Sequence, residues 1–217
     1  MTQAQCPSCA RLQEPRLLCS ECGAPLAAEL DYFAALGLPK RPTIDPRQLE
    51  NLYHELGRRV HPDRFANRAG ALRDASLTAT ALLTRASRTL RDPVSRGLYW
   101  LELHGEKLAT GNQRVPPELA ELIFEVQETL EELRGSEASG DAEKARLRAQ
   151  VVERRQAVDA SLAETLSELE RNFAKWDFDV SDRPGLIVQL KGILSRINYL
   201  RTLIRDMDRE LEVHDLG

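Results

Sequence analysis

The chain is short of aromatic residues and of cysteine, and each shortage narrows what it can be. Phe, Trp and Tyr make up only 5% of its 217 residues. Ala, Leu, Glu and Arg dominate instead, a composition that favours helices. The four cysteines all fall within the first 22 residues. In a reducing compartment that clustering points to a metal rather than to disulfides. No apolar run approaches the length of a membrane span. The opening residues Met1, Thr2, Gln3, Ala4 and Gln5 carry neither a basic flank with an apolar core nor an Arg-rich amphipathic pattern. The protein is therefore expected to stay where it is made, in the cytoplasm. A net charge of only −4 gives no global signal for nucleic acid. Neither a Gly-rich phosphate loop nor a Ser/His/Asp constellation is present, so the chain is expected not to be an enzyme.

What the sequence does have is a pointed polar motif at the end of a helix. Leu49, Leu52, Tyr53, Leu56 and Val60 recur at steps of three and four, which predicts one apolar helix face. Asp45 is a suitable N-cap, Pro46 suits the first helical position, and Gln48 can complete a capping box. Pro62 ends the helix, because it has no N–H and restricts the residue before it. His61, Pro62 and Asp63 are thus expected at an exposed helix end, beside His54, Arg58, Arg59 and Arg64. Taken alone, basic residues there are ordinary complements of the helix dipole. A loop over 64–71 leads to a second amphipathic helix over 72–91, with Leu72, Ala75, Ala79, Leu82, Leu83, Ala86 and Leu90 on one face. Two such helices can pack antiparallel and leave the motif at one end of a hairpin. A short helix over 29–39 precedes them and another over 94–104 follows.

Cys6 and Cys9, then Cys19 and Cys22, form two Cys-x-x-Cys pairs. Four thiolates complete a tetrahedral shell with no open position, which suits one structural zinc and no catalytic one. The alternatives are a redox dithiol or two disulfides. A redox Cys-x-x-Cys normally sits in a βαβ unit, and none is indicated.

Residues 106–117 read as a linker, with Gly111, Asn112, Pro116 and Pro117. Three helical segments follow, over about 117–134, 141–176 and from Pro184 onward. Their apolar seams step by three and four, as in a bundle. On the first, Leu119, Leu122, Val126, Leu130 and Leu133 are the expected seam. Ile123, Phe124, Gln127, Glu128 and Glu131 are read as a second, solvent-facing side, with Tyr199 similarly off its own seam on the third helix. Apolar anchors flanked by carboxylates suggest a partner surface.

Taken together the chain resembles the HscB-type co-chaperones of iron–sulfur cluster assembly. The residues that carry the likeness are Asp31-Tyr32-Phe33, Leu36-Gly37-Leu38-Pro39, Leu52-Tyr53-His54-Glu55-Leu56, His61-Pro62-Asp63-Arg64-Phe65, Thr89-Leu90-Arg91-Asp92-Pro93 and Leu98-Tyr99-Trp100-Leu101-Glu102-Leu103-His104-Gly105. The sequence departs from the family at Thr84 and Ser87, where an Asn and an aromatic are usual, and at Gln127, where an apolar residue is usual. The resemblance implies an all-α fold. A four-cysteine zinc-binding module (1–27) would precede a J-domain (28–105), a linker (106–117) and a three-helix bundle (118–217). It also implies that the His-Pro-Asp motif engages an HscA- or DnaK-type ATPase, and that the bundle binds an IscU-type cluster scaffold. Neither nucleic acid nor membrane is an expected partner. Two rivals remain. One is a general J-domain protein delivering other clients, which would normally bring a Gly/Phe-rich linker and β-rich client domains. The other is a zinc-ribbon nucleic-acid adaptor on a helical scaffold, which would want a basic stripe near Cys6 to Cys22, where only Arg11 and Arg16 lie.

Overall fold

The computed structural model describes residues 3–108, 117–136, 140–178 and 182–213. The expected linker falls largely outside them, as does most of the turn after the first bundle helix. The chain divides into two compact units, Met1–Leu103 and His104–Gly217. Helices dominate both. The named strands among the described residues are β1 (Ala4–Gln5) and β2 (Leu12–Gln13), a two-residue antiparallel ladder within the cysteine segment.

In the first unit, α1 (Tyr32–Leu36) opens on the Asp31 carboxylate, which accepts the Ala34 N–H at 2.8 Å. It closes at Gly37, whose φ of 68° is left-handed and available to glycine without a Cβ clash. α2 (Pro46–Val60) opens on Asp45, whose side chain accepts the Arg47 N–H at 2.9 Å. A 3-10 turn, Pro62–Phe65, begins in the motif and runs into the stretch from residue 64 read from the sequence as loop. α3 (Gly70–Arg91) then returns along α2. Val60 meets Ser76 and Thr80, while Tyr53 shares a groove with Ser87 and Arg88, so the two helices are antiparallel. Leu49, Val60, Ala75, Ala79, Leu83, Ala86 and Leu90 are buried. Leu52, Tyr53, Leu56 and Leu82 are half-buried at the margins.

α4 (Pro93–Leu103) closes the unit with aromatics. Trp100 meets Phe33 edge-on at 5.8 Å, Tyr99 stacks on Tyr32 at 4.3 Å, and the Tyr99 hydroxyl accepts the Tyr32 N–H at 2.9 Å. The buried Arg96 guanidinium donates to the Leu90 carbonyl at 2.8 Å and so satisfies an acceptor at the end of α3.

The second unit is built from α5 (Ala120–Gly135), α6 (Asp141–Phe178) and α7 (Arg183–Val213). Its core joins Leu119, Ile123, Val126, Leu130 and Leu133 to residues of α6 and α7, among them Val151, Val158, Leu200, Leu203 and Met207. Farther along α6 and α7, Phe173, Trp176, Leu186 and Leu190 are buried too. Arg183 sits over the Trp176 ring at 4.7 Å, and His104 lies 5.0 Å from that ring. Arg155 pairs with Asp159 and Asp208, Arg196 with Glu168, and Arg154 with Glu125, a lacework of partly exposed bridges across the helices.

Three residues of the bundle are placed differently from the sequence reading. Ile123, expected on the exposed side of α5, is core at 7% exposure, and Leu122, expected in the seam, is only half-buried. Measured round the helix from Val126, Leu130 and Leu133, these two neighbours lie roughly 50° to either side, so periodicity cannot choose between them. Contacts with α6 and α7 choose Ile123. Tyr199, expected to face solvent, is half-buried against the same core. α7 packs on both α5 and α6 and therefore has a wide apolar face. Tyr199 precedes the buried Leu203 by one turn on the edge of that face.

The exchanged roles of Leu122 and Ile123 set the expected cost of truncation. Ile123→Ala should destabilise the bundle by about 2–4 kcal/mol through a core cavity, and Leu122→Ala by about 1 kcal/mol. Urea unfolding followed by helical circular dichroism distinguishes the two; equal costs would return Leu122 to the seam.

Candidate functional site

The His61-Pro62-Asp63 motif sits where α2 ends. At His61 the backbone leaves the helix with φ −55° and ψ 130°, the conformation a following proline demands. The imidazole Nδ1 accepts the Asp63 N–H at 3.3 Å and lies 3.5 Å from the Asp63 carboxylate. Asp63 is almost fully exposed and His61 more than half exposed. Behind them the Val60 carbonyl accepts the Ser76 hydroxyl at 2.6 Å and the Thr80 hydroxyl at 3.2 Å. Ser76 is fully buried, so this anchor is shielded from water. Arg64 reaches back to donate to the Arg58 carbonyl at 3.2 Å. His54, Arg58 and Arg59 are all exposed on α2, and a shallow groove brings His54, Arg58, His61 and Arg64 together beside Thr80 and Leu83. The arrangement presents donors and one carboxylate across an open surface.

The four sulfurs of Cys6, Cys9, Cys19 and Cys22 lie within 4.8 Å of one another. Cys6 and Cys22 are 3.5 Å apart, and Cys9 and Cys19 are 3.7 Å apart. A tetrahedral ion bonded to sulfur at about 2.3 Å spaces its ligands by about 3.8 Å, so the set fits such an ion closely. Two matching turns build it. The Ala10 N–H donates to the Cys6 carbonyl at 2.9 Å, and the Gly23 N–H to the Cys19 carbonyl at 3.0 Å. Both turns end left-handed, at Ala10 (φ 59°) and Gly23 (φ 69°). Further N–H groups point at sulfur: Ser8 to Cys6 at 3.4 Å, and the Gln13 amide to Cys19 at 3.0 Å. The Cys22 backbone N–H and then the Gln13 amide hold the Cys19 thiol down at about 6, against desolvation. The Cys9 thiolate is favoured by the Arg11 N–H, but desolvation and the three neighbouring sulfurs outweigh it and push the thiol up to about 12. Four crowded sulfurs cannot all ionise without a cation among them. The residues present therefore form a site that can hold a metal ion.

On α5, Phe124 is 68% exposed and lies roughly 160° from the seam. Gln127, Glu128 and Glu131 follow it at helical spacing, all exposed. Four of the residues read as a partner surface thus form one stripe, with Ile123 beneath it in the core and Tyr199 partly covered on α7.

No protein-family model matches the chain. Among solved structures, the crystal structure of human co-chaperone protein HscB matches with a TM-score of 0.67 at 26% identity, covering 94% of this chain and 96% of that one. The chaperone HscB from Vibrio cholerae matches with a TM-score of 0.58 at 22% identity, covering 86% of this chain and 99% of that one. The chain has the HscB fold.

Within that fold, three supports escaped the sequence reading. Ser76 and Thr80 stand four apart on α3, where hydroxyls facing an apolar helix partner could have been suspected of holding a backbone acceptor. Gln13 has no spacing signal; only the chain reversal at β1 and β2 brings it to Cys19. Phe65 reads as part of the motif, yet it packs against a cluster that joins Cys6, Cys19, Ala24 and Leu26 to Leu72 of α3.

The left-handed Ala10 gives this site its own test. A non-glycine residue there carries a cost of about 1 kcal/mol that glycine does not. Ala10→Gly should therefore hold a divalent ion about fivefold more tightly, read by competition with a chromophoric chelator for zinc. Weaker retention would show that the Ala10 methyl is needed by the turn.

Proposed function

We propose that this protein is a co-chaperone of iron–sulfur cluster assembly. The observation that carries the reading is the exposed His61-Pro62-Asp63 turn in a chain that matches human HscB over nearly its whole length. The turn, with His54, Arg58, Arg59 and Arg64, engages an HscA- or DnaK-type chaperone and promotes its ATP hydrolysis. The chemistry takes place in the chaperone's nucleotide site, so the protein is an activator and not an enzyme. Basic groups around an anchored turn suit this role, because exposed charge steers encounter and fixes register.

The α5 stripe is the surface for an IscU-type scaffold. Phe124 is the anchor, since burying it against a partner gains roughly 25 cal/mol per Å² of apolar surface before ordering costs are subtracted. Gln127, Glu128 and Glu131 orient the scaffold, Tyr199 contributes from α7, and Ile123 supports Phe124 from below. Holding client and chaperone on one chain raises the effective concentration of one at the other. Zinc is the ion assigned to Cys6, Cys9, Cys19 and Cys22, one per chain, with a structural role because four thiolates leave no open position. The cytoplasm is the assigned compartment.

Two experiments test the two ends. His61→Gln should fold normally, with a stability change under about 1 kcal/mol, and should lose stimulation of the chaperone ATPase. Full stimulation by the folded variant would sink the chaperone assignment. In calorimetric titration of a scaffold, Phe124→Ala should weaken binding by more than about tenfold. Glu128→Ala should weaken it by only a few fold, and less at high salt. Normal binding by a Phe124→Ala variant would move the scaffold surface elsewhere.

A further inference from the structure

The His61-Pro62-Asp63 turn is held from two sides. α3 holds its start through Val60. The cysteine module holds its end. Phe65, the last residue of the 3-10 turn, packs against a small core of Cys6, Cys19, Ala24, Leu26 and Leu72. Leu72 belongs to the first turn of α3, so the module bridges the two ends of the 66–69 connection. Two of the four cysteines, Cys6 and Cys19, are themselves members of that core.

Charge adds an independent link. Arg59, Arg64 and Arg68 line one cleft with Cys22 and Gly23. A divalent ion on four thiolates leaves a net charge of about −2, which three guanidinium groups attract. The loaded module is thus drawn to the same residues that flank the turn.

We propose that the metal-loaded cysteine module positions the His61-Pro62-Asp63 turn, with Phe65 as the positioning residue, so that metal occupancy governs how firmly the turn is held. The use of that coupling rests on the chaperone reading above; its geometry does not. The turn's own hydrogen bonds report it: the Arg64 N–H donates to the His61 carbonyl at 3.1 Å, and the Arg68 N–H to the Phe65 carbonyl at 3.0 Å.

Amide hydrogen exchange on the full chain, zinc-loaded and zinc-depleted, tests the coupling. Depletion should speed exchange at Arg64 and Arg68 by about tenfold or more, with amides at the centre of α3 unchanged. Phe65→Ala should show the same acceleration with zinc bound, and depletion should then add nothing at those two amides. Phe65→Leu, which keeps an apolar contact, should restore most of the protection. Unchanged protection on depletion overturns the proposal, as does an equal further loss on depleting Phe65→Ala. In a chaperone ATPase assay the depleted chain should need a several-fold higher concentration for half-maximal stimulation, with the maximum kept. Should exchange respond as described while no form of the chain stimulates the ATPase, the positioning stands and the chaperone reading falls.

Discussion

The end of a helix is an electrostatic problem, and the way α2 solves it organises the first unit. Its last carbonyls have no partner within the helix, and Pro62 prevents the chain from supplying one by continuing. The Val60 carbonyl is buried and would be expensive to leave unmade. Ser76 and Thr80 satisfy it from α3, which fixes both the register of the hairpin and the point at which His61 leaves the helix. Because the anchor lies on the buried side, every polar group of the motif is free to face outward. Arg96 repeats the device at the end of α3, where its guanidinium takes the Leu90 carbonyl.

Much of this was legible in the sequence. Asp45 and Pro46 mark the start of α2 and Pro62 its end, through local chemistry that needs no tertiary partner. The paired Cys-x-x-Cys spacing foretold sulfurs that converge. What could not be read depended on neighbours. Leu122 and Ile123 are nearly equivalent on a helical wheel, and only the positions of α6 and α7 separate them. Tyr199 looked exposed because a single seam was assumed for α7, a helix that packs on two others. Gln13 donates to a sulfur and Phe65 packs against a cluster that includes Cys6 and Cys19, contacts that no periodicity encodes.

The two candidate surfaces also differ in physical character. At the hairpin end the surface is polar and cationic over a buried hydroxyl anchor, and the turn leaves the helix in a fixed direction. On α5 one exposed aromatic ring stands in a row of polar and acidic side chains. A protein whose net charge is only −4 thus carries a basic surface on one unit and an acidic stripe on the other.

The placement of the two tryptophans has an optical consequence. Trp100 is buried against Phe33 in the first unit, and Trp176 is buried beside Arg183 and His104 in the second. Each unit therefore carries its own intrinsic fluorophore in a distinct environment, one lined by another ring and the other by a cation and an imidazole. The emission of the chain is a sum of two reporters, and replacing either indole by phenylalanine would leave a spectrum that follows one unit alone.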